Sequence, residues 1–263
     1  MGKSFPPTVV AIAGSMNNPE TAALDPKSAQ PAFHSPGNRL EHRAKSLGVS
    51  ASLAAAGGFL DAFTYVGHGH VFANAMTGNV VLLGVDAISG SWSRSLHHLL
   101  PIFMFLSGVA AARIIRLPRM CRFVRQPQLA VLTLELLLLL TLSFLPRTTS
   151  DFVITMTIAF AASLQMTTFR EIEGRSYSST FTSGNLRTMV ETFCEWAFDG
   201  RKPRHLRESR VFAIICSMFL FGAAAGAFAT PRLFNRALWI DVAVLALVEA
   251  SLLRGDWRAP ATS

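Results

Sequence analysis

Six stretches of low charge, each near the length of a membrane-crossing helix and some of them separated by arginine-rich breaks, constrain this chain more than any other feature. A helix rises about 1.5 Å per residue, so about 20 apolar residues cross a hydrocarbon core about 30 Å thick. Residues 47–66, 97–112, 128–146, 152–169, 211–230 and 237–253 approach or meet that requirement, and the acidic residues within them are Asp61, Glu135, Asp241 and Glu249. The pattern predicts an all-α, polytopic transmembrane helix bundle. Composition agrees: 15% of the residues are charged, against about 25% in ordinary soluble domains. The net charge of +8 is concentrated in breaks that bracket apolar stretches. That arrangement orients a membrane protein, whereas a nucleic-acid surface interleaves basic residues with aromatics on a soluble scaffold. The expected partner is the lipid bilayer, and nucleic acid is not expected.

Two further stretches, 71–88 and 177–198, are hydrophobic enough for helices but are interrupted by Thr77-Gly78-Asn79 and Ser183-Gly184-Asn185. Short cytoplasmic loops carry an excess of Lys and Arg. With six spans and a cytoplasmic N-terminus, the cluster Arg113, Arg116, Arg119, Arg122, Arg125 and the cluster Arg201, Lys202, Arg204, Arg207, Arg210 both lie inside. With eight spans the first cluster falls outside while Arg39, Arg43 and Lys45 stay inside. Six spans with both termini cytoplasmic, in a cell inner membrane, is the better reading. The two interrupted stretches are then re-entrant or interfacial, which requires protein or a water-filled cavity to satisfy their backbone. Residues 1–45 are rich in proline and lack a signal-peptide core, so they read as a disordered cytoplasmic tail, and 256–263 as a short C-terminal tail. Gly2 is followed by Pro6 where myristoylation wants Ser or Thr. Cys121, Cys194 and Cys216 have neither CxxC spacing nor an even count, so no disulfide framework or zinc site is indicated.

The membrane portion divides into two repeats, 46–147 and 148–255. Gly57-Gly58-Phe59-Leu60-Asp61-Ala62-Phe63-Thr64 aligns with Ala161-Ala162-Ser163-Leu164-Gln165-Met166-Thr167-Thr168, and Thr77-Gly78-Asn79 with Ser183-Gly184-Asn185. Phe105-Leu106-Ser107-Gly108 then matches Phe219-Leu220-Phe221-Gly222, and Glu135 matches Glu249. With three spans per half, the second half sits upside down relative to the first, each half carrying one short broken helix. Such inverted repeats place interrupted helices at a central site, where exposed backbone dipoles hold an ion or polar solute.

These motifs, GGFLDAFTYVG…VFANAMTGNVVLLG, SLQMTT, TSGNLR, FLSG and FLFGAAAG, resemble the YoaK-like bacterial membrane family known as domain of unknown function 1275. The resemblance covers about residues 47–253 and implies a multi-spanning membrane protein without an assigned reaction. Ser183 stands where the family pattern has Thr, and Met166 where it has Asn.

The candidate solute-binding set is Asp61, Thr77, Gly78, Asn79, Gln165, Ser183, Gly184 and Asn185. An intramembrane carboxylate costs about 2.5–3.5 kcal/mol on insertion scales, so Asp61 should face a cavity, a partner or a proton, or else lie near the hydrated outer interface. Gln165 suits an interhelical hydrogen bond as well as a ligand. Thr77-Gly78-Asn79 reads as a helix N-cap, alone or combined with solute contact. Arg187, Glu191 and Glu195 line one solvated helical face. Glu135 is the proton-coupling candidate, while Glu249 snorkels or pairs with Arg254. Gly108, Gly222 and Gly226 allow close helix packing, within the monomer or in a homo-oligomer. His68, His70, His97 and His98 read as an ordinary polar loop more readily than as a metal site, and no metal or cofactor is expected. No phosphate loop, His-Glu-x-x-His or Gly-x-Ser-x-Gly is present, so an enzyme is unsupported. The leading expectation is a secondary transporter or permease for a small solute not named by the sequence. The alternative is a non-transporting membrane scaffold or sensor, with an intramembrane enzyme third.

Overall fold

The apolar stretches fold as helices, and most of the polar breaks shorten or extend them for identifiable local reasons. A computed structural model of the chain describes residues 44–121, 124, 126–172, 175–177 and 182–257. The expected N-terminal tail therefore lies almost wholly outside the described residues. Helix α1 (Leu47–Gly67) starts where the Ser46 hydroxyl accepts a hydrogen bond from the Val49 amide. It is followed by α2 (Met76–Ile88), α3 (Trp92–Ile115), the single turn α4 (Pro118–Cys121) and α5 (Pro127–Ser143). Helix α6 (Asp151–Thr168) leads into a two-stranded antiparallel hairpin, β1 (Glu171–Ile172) and β2 (Arg175–Ser176). Helices α7 (Thr182–Phe198), α8 (Pro203–Leu233) and α9 (Leu238–Trp257) complete the chain, with a 3-10 turn at Phe234–Ala237 between the last two.

Helix α8 begins eight residues before the apolar stretch at Val211, because Pro203 suits a first helical turn and Arg204 pairs with Glu208 one turn on. Among the described residues, α1, α3 and the run Pro203–Arg254 are long and apolar enough to cross a membrane, and α2 and α5 are shorter apolar helices. Helix α6, with 18 residues, falls in neither group.

Side-chain contacts set the helix directions. Gly222 and Gly226 of α8 lie against Ala55 and Phe59 of α1, and Thr230 lies against Gly67, so α1 and α8 run parallel. Gly108 of α3 lies on Phe160 and Ser163 of α6, and Arg116 donates to the Thr168 carbonyl at 2.6 Å, so this pair is parallel too. Gln165 donates to the Leu53 carbonyl while Asp151 meets His68, which makes α1 and α6 antiparallel. Asn235 donates to the Leu145 carbonyl while the Thr133 hydroxyl donates to Glu249, which makes α5 and α9 antiparallel.

The main pairings are α1 with α8 and α9, α6 with α3 and α5, α2 with α3, α7 with α8, and α5 with α9. Exchanging α1, α2, α3 and α5 for α6, α7, α8 and α9 returns the same set. One hydrogen bond also recurs at matched positions: Ser95 donates to the Leu83 carbonyl at 3.1 Å, and Ser209 to the Met189 carbonyl at 2.9 Å. The core lies around α1, with Leu53, Leu60 and Phe63 fully buried beside Leu132, Leu139, Leu238 and Leu245. Phe103 and Leu106 on α3, Leu220 and Phe221 on α8 and Leu247 on α9 are exposed, the outward apolar surface expected of helices that face lipid.

Candidate functional site

The first interrupted segment is anchored to the middle of α1 by side chains. Beyond Gly67 the chain turns through Gly69 and His70, both at positive φ, and runs back along α1. The Asn74 amide then donates to the Asp61 carboxylate at 2.7 Å, and its side chain donates to the Gly57 carbonyl at 3.3 Å. Seven residues after the end of α1, the backbone is thus level with its midpoint. The amides of Ala73 and Ala75 also lie toward the Asp61 carboxylate, so Asp61 receives a bend of consecutive N–H groups that no secondary structure satisfies. Asn79 closes the loop. Its side chain accepts from the Phe72 amide at 3.0 Å and donates to the Phe72 carbonyl at 2.7 Å.

This arrangement corrects the N-cap expectation. Helix α2 is capped at Ala75 without a side-chain hydrogen bond, and Thr77 is exposed one residue inside the helix. The buried Asn79 serves the backbone before the helix, not its first turn. Asp61 and Asn79 thus hold two parts of the same loop, and bonds to the chain's own backbone engage both side chains. Asn74, which the sequence motifs did not single out, ties the loop to Asp61 and Gly57 of α1. Its only sequence signal is an amide side chain inside an otherwise apolar run.

In the second half Gln165 is buried and donates to the Leu53 carbonyl of α1 at 3.3 Å, leaving its own carbonyl oxygen without a partner. Ser183 and Gly184 are exposed and Asn185 is buried, so in each half only the asparagine of the motif enters the interior. A cavity of about 540 Å³ lies between the C-terminal halves of α3 and α6 and the start of α7. Its lining includes Val109, Thr167, Arg170, Gly184, Asn185 and Thr188. Asp61 and Asn79 do not line it. The halves differ at their matched glycines: a Cβ on Gly78 would meet the Phe72 ring at 2.9 Å, whereas one on Gly184 would meet nothing within 4 Å. Phe72, stacked on Tyr65 with ring centroids 4.7 Å apart, fills the space at Gly78 that no described residue fills at Gly184. The Tyr177 phenol borders the cavity, and burial pushes its pKa up to about 12, so it remains a neutral hydroxyl.

Glu135 and Asp241 form a second polar feature. Both are fully enclosed where α5 packs on α9, within electrostatic reach of each other. Among the described residues, both oxygens of Glu135 and one of Asp241 lack a hydrogen-bond partner. The repeat alignment matches Glu135 with Glu249 and gives no sign that Asp241 lies toward Glu135, which depends on the antiparallel meeting of α5 and α9. Glu249 accepts a hydrogen bond from the Thr133 hydroxyl, a partner that the sequence did not suggest. Arg187 pairs with Glu191 on an exposed face as expected, while Glu195 meets His205. His68 pairs with Asp151 and His98 with Asp86 on separate helices. Cys194 and Cys216 are free thiols.

A family model described as "Protein of unknown function (DUF1275)" matches residues 49–251. The UPF0700 transmembrane protein YoaK of Bacillus subtilis (strain 168) is 24% identical over 192 residues, covering 72% of this chain and 85% of that protein. No solved structure matches.

Proposed function

The chain is an integral membrane protein of the DUF1275 family, and on that premise we propose that it is a secondary transporter for a small polar solute, built as six spans in two inverted repeats with both termini cytoplasmic. The observation that carries this reading is the cavity at Gly184 and Asn185, open among the described residues beside one interrupted segment while Phe72 fills the matched space beside the other. In an inverted repeat, one open and one closed half is an inward-facing state, and exchanging the two conformations generates the outward-facing one. The inverted sense is supported by the antiparallel meeting of matched helices, α1 with α6 and α5 with α9. Repeats related by an axis along the membrane normal would bring matched helices together in parallel.

Within this mechanism Asn185, Thr167 and Thr188 offer polar contacts to the solute, and Gln165 contributes from the adjoining face of α6. Asp61 and Asn79 hold the outer interrupted segment in its closed form. Glu135 with Asp241 is the proton-coupling pair, because an unpartnered carboxylate in the interior holds a proton until a conformational change hydrates it. The chemistry is binding and release, not bond making.

Purified protein in proteoliposomes loaded with a pH indicator tests the proposal against a panel of small polar solutes. Wild type should acidify or alkalinise the lumen with one class of solute. Asn185→Ala should weaken solute dependence, and Glu135→Gln should uncouple it from protons. The scaffold or sensor reading gains from the structural bonds of Asp61 and Asn79. It would prevail if no solute moved in either direction while Asn185→Ala changed stability alone.

A further inference from the structure

Four arginines lie at the end of the molecule where α1, α5 and α8 finish and α3, α6 and α9 begin: Arg94, Arg147, Arg232 and Arg236. Arg94 is engaged by Asp86 and Ser91. The other three converge on one cavity of about 550 Å³ between the α5–α6 connection and the turn joining α8 to α9. No carboxylate is among its lining residues. Among the described residues none of the three forms an ion pair, and the contacts they do make leave guanidinium donors free. Arg147 sits over the Phe234 ring at 3.5 Å, and Arg232 donates one N–H to the Phe228 carbonyl.

The pocket is built rather than incidental. Buried Asn235 donates to the Leu145 carbonyl at 3.1 Å and locks the two connections together, which brings Arg147 and Arg236 to one wall. Phe234 adopts φ 52°, a conformation that an L-residue occupies only where the surroundings enforce it. Positive charge is also scarce elsewhere at this end, since Arg94 is the sole Lys or Arg between residues 46 and 112. Convergent guanidiniums present paired N–H donors that match the oxygens of a phosphate group. Exposed Phe144, Leu233 and Trp239 border the same cavity, with Phe144 edge-on to Trp239, an apolar and aromatic rim suited to the membrane interface.

We propose that Arg147, Arg232 and Arg236 form a binding site for a phosphate group, and the apolar rim favours the headgroup of an anionic phospholipid. The site is separate from the solute cavity, and its test needs no transport. The thermal midpoint of the full chain in non-ionic detergent and phosphate-free buffer is measured with inorganic phosphate, short-chain phosphatidylglycerol or short-chain phosphatidylcholine. Phosphatidylglycerol should raise the midpoint by several degrees and phosphatidylcholine by less. Arg147→Gln/Arg232→Gln/Arg236→Gln should lose the shift, while Arg94→Gln keeps it. Should the triple variant not fold, Arg236→Gln alone must reduce the shift. An equal response to inorganic phosphate assigns the site to the free anion. No shift with either phosphate source, or the same shift in the arginine variants, overturns the proposal.

Discussion

At the level of single residues, the interior polar groups divide by whether the backbone uses them. Asn79 satisfies both polar groups of Phe72, and each buried group left unpaired costs about 1–3 kcal/mol. Asn79→Ala should therefore destabilise the protein by about 2–4 kcal/mol, lowering its thermal midpoint in detergent. Asn79→Asp keeps the acceptor but not the donor and should fall between the two. Glu135 is the opposite case. Its oxygens have no partner among the described residues, so Glu135→Gln removes a carboxylate whose burial is unfavourable and should leave the thermal midpoint unchanged or raised. If both variants lose activity but shift stability in opposite directions, Asn79 acts through structure and Glu135 through its proton. A lowered midpoint for Glu135→Gln would mean that the carboxylate has a stabilising partner.

Helices meet through glycine at two matched crossings. A Cβ on Gly222 would lie 1.9 Å from the Ala55 carbonyl oxygen, and one on Gly108 would lie 2.6 Å from that of Phe160. Neither backbone can yield without separating the helices, so Gly222→Ala and Gly108→Ala should each cost about 1–3 kcal/mol. Gly84→Ala, with nothing within 4 Å, should be neutral or stabilising by up to about 1 kcal/mol because alanine favours helix. Thermal unfolding of the three variants separates a close contact from a general intolerance of alanine. These helices were legible in the sequence, because charge-free length and small-residue spacing are properties of one segment. What the interrupted segments bond was not legible. Asp61 stands out as a carboxylate in hydrocarbon, but its partner Asn74 lies across a turn whose path depends on Gly69 and His70. Asp241 was visible as a charge, yet its proximity to Glu135 depends on how the last helices of the two halves pack. The arginine pocket was harder still, since its members come from two connections that only Asn235 draws together.

For the molecule as a whole, helix direction bears on the proposed number of crossings. Successive spans must alternate. With six, namely α1, α3, α5, α6, α8 and α9, the sequence of directions makes α1 parallel to α8 and α3 parallel to α6, while α1 opposes α6 and α5 opposes α9. All four relations hold in the contacts. If α2 and α7 also crossed, α1 would run parallel to α6 and α5 to α9, contrary to the bonds of Gln165 and Asn235. Helix α2 is in any case 13 residues long, about 20 Å at 1.5 Å per residue and short of a core about 30 Å thick. In a background with Cys121, Cys194 and Cys216 replaced by serine, a cysteine at Thr148 should react with a membrane-impermeant maleimide added outside intact spheroplasts. One at Leu117 or Arg201 should react only after the membrane is opened. A cysteine at Ser89 should label from outside like the one at Thr148, because in the proposed topology α2 re-enters and returns to the outer side. Labelling of Leu117 from outside would reverse the first half and remove the inverted repeat, and with it the reason for reading the unequal halves as two states of one transport cycle.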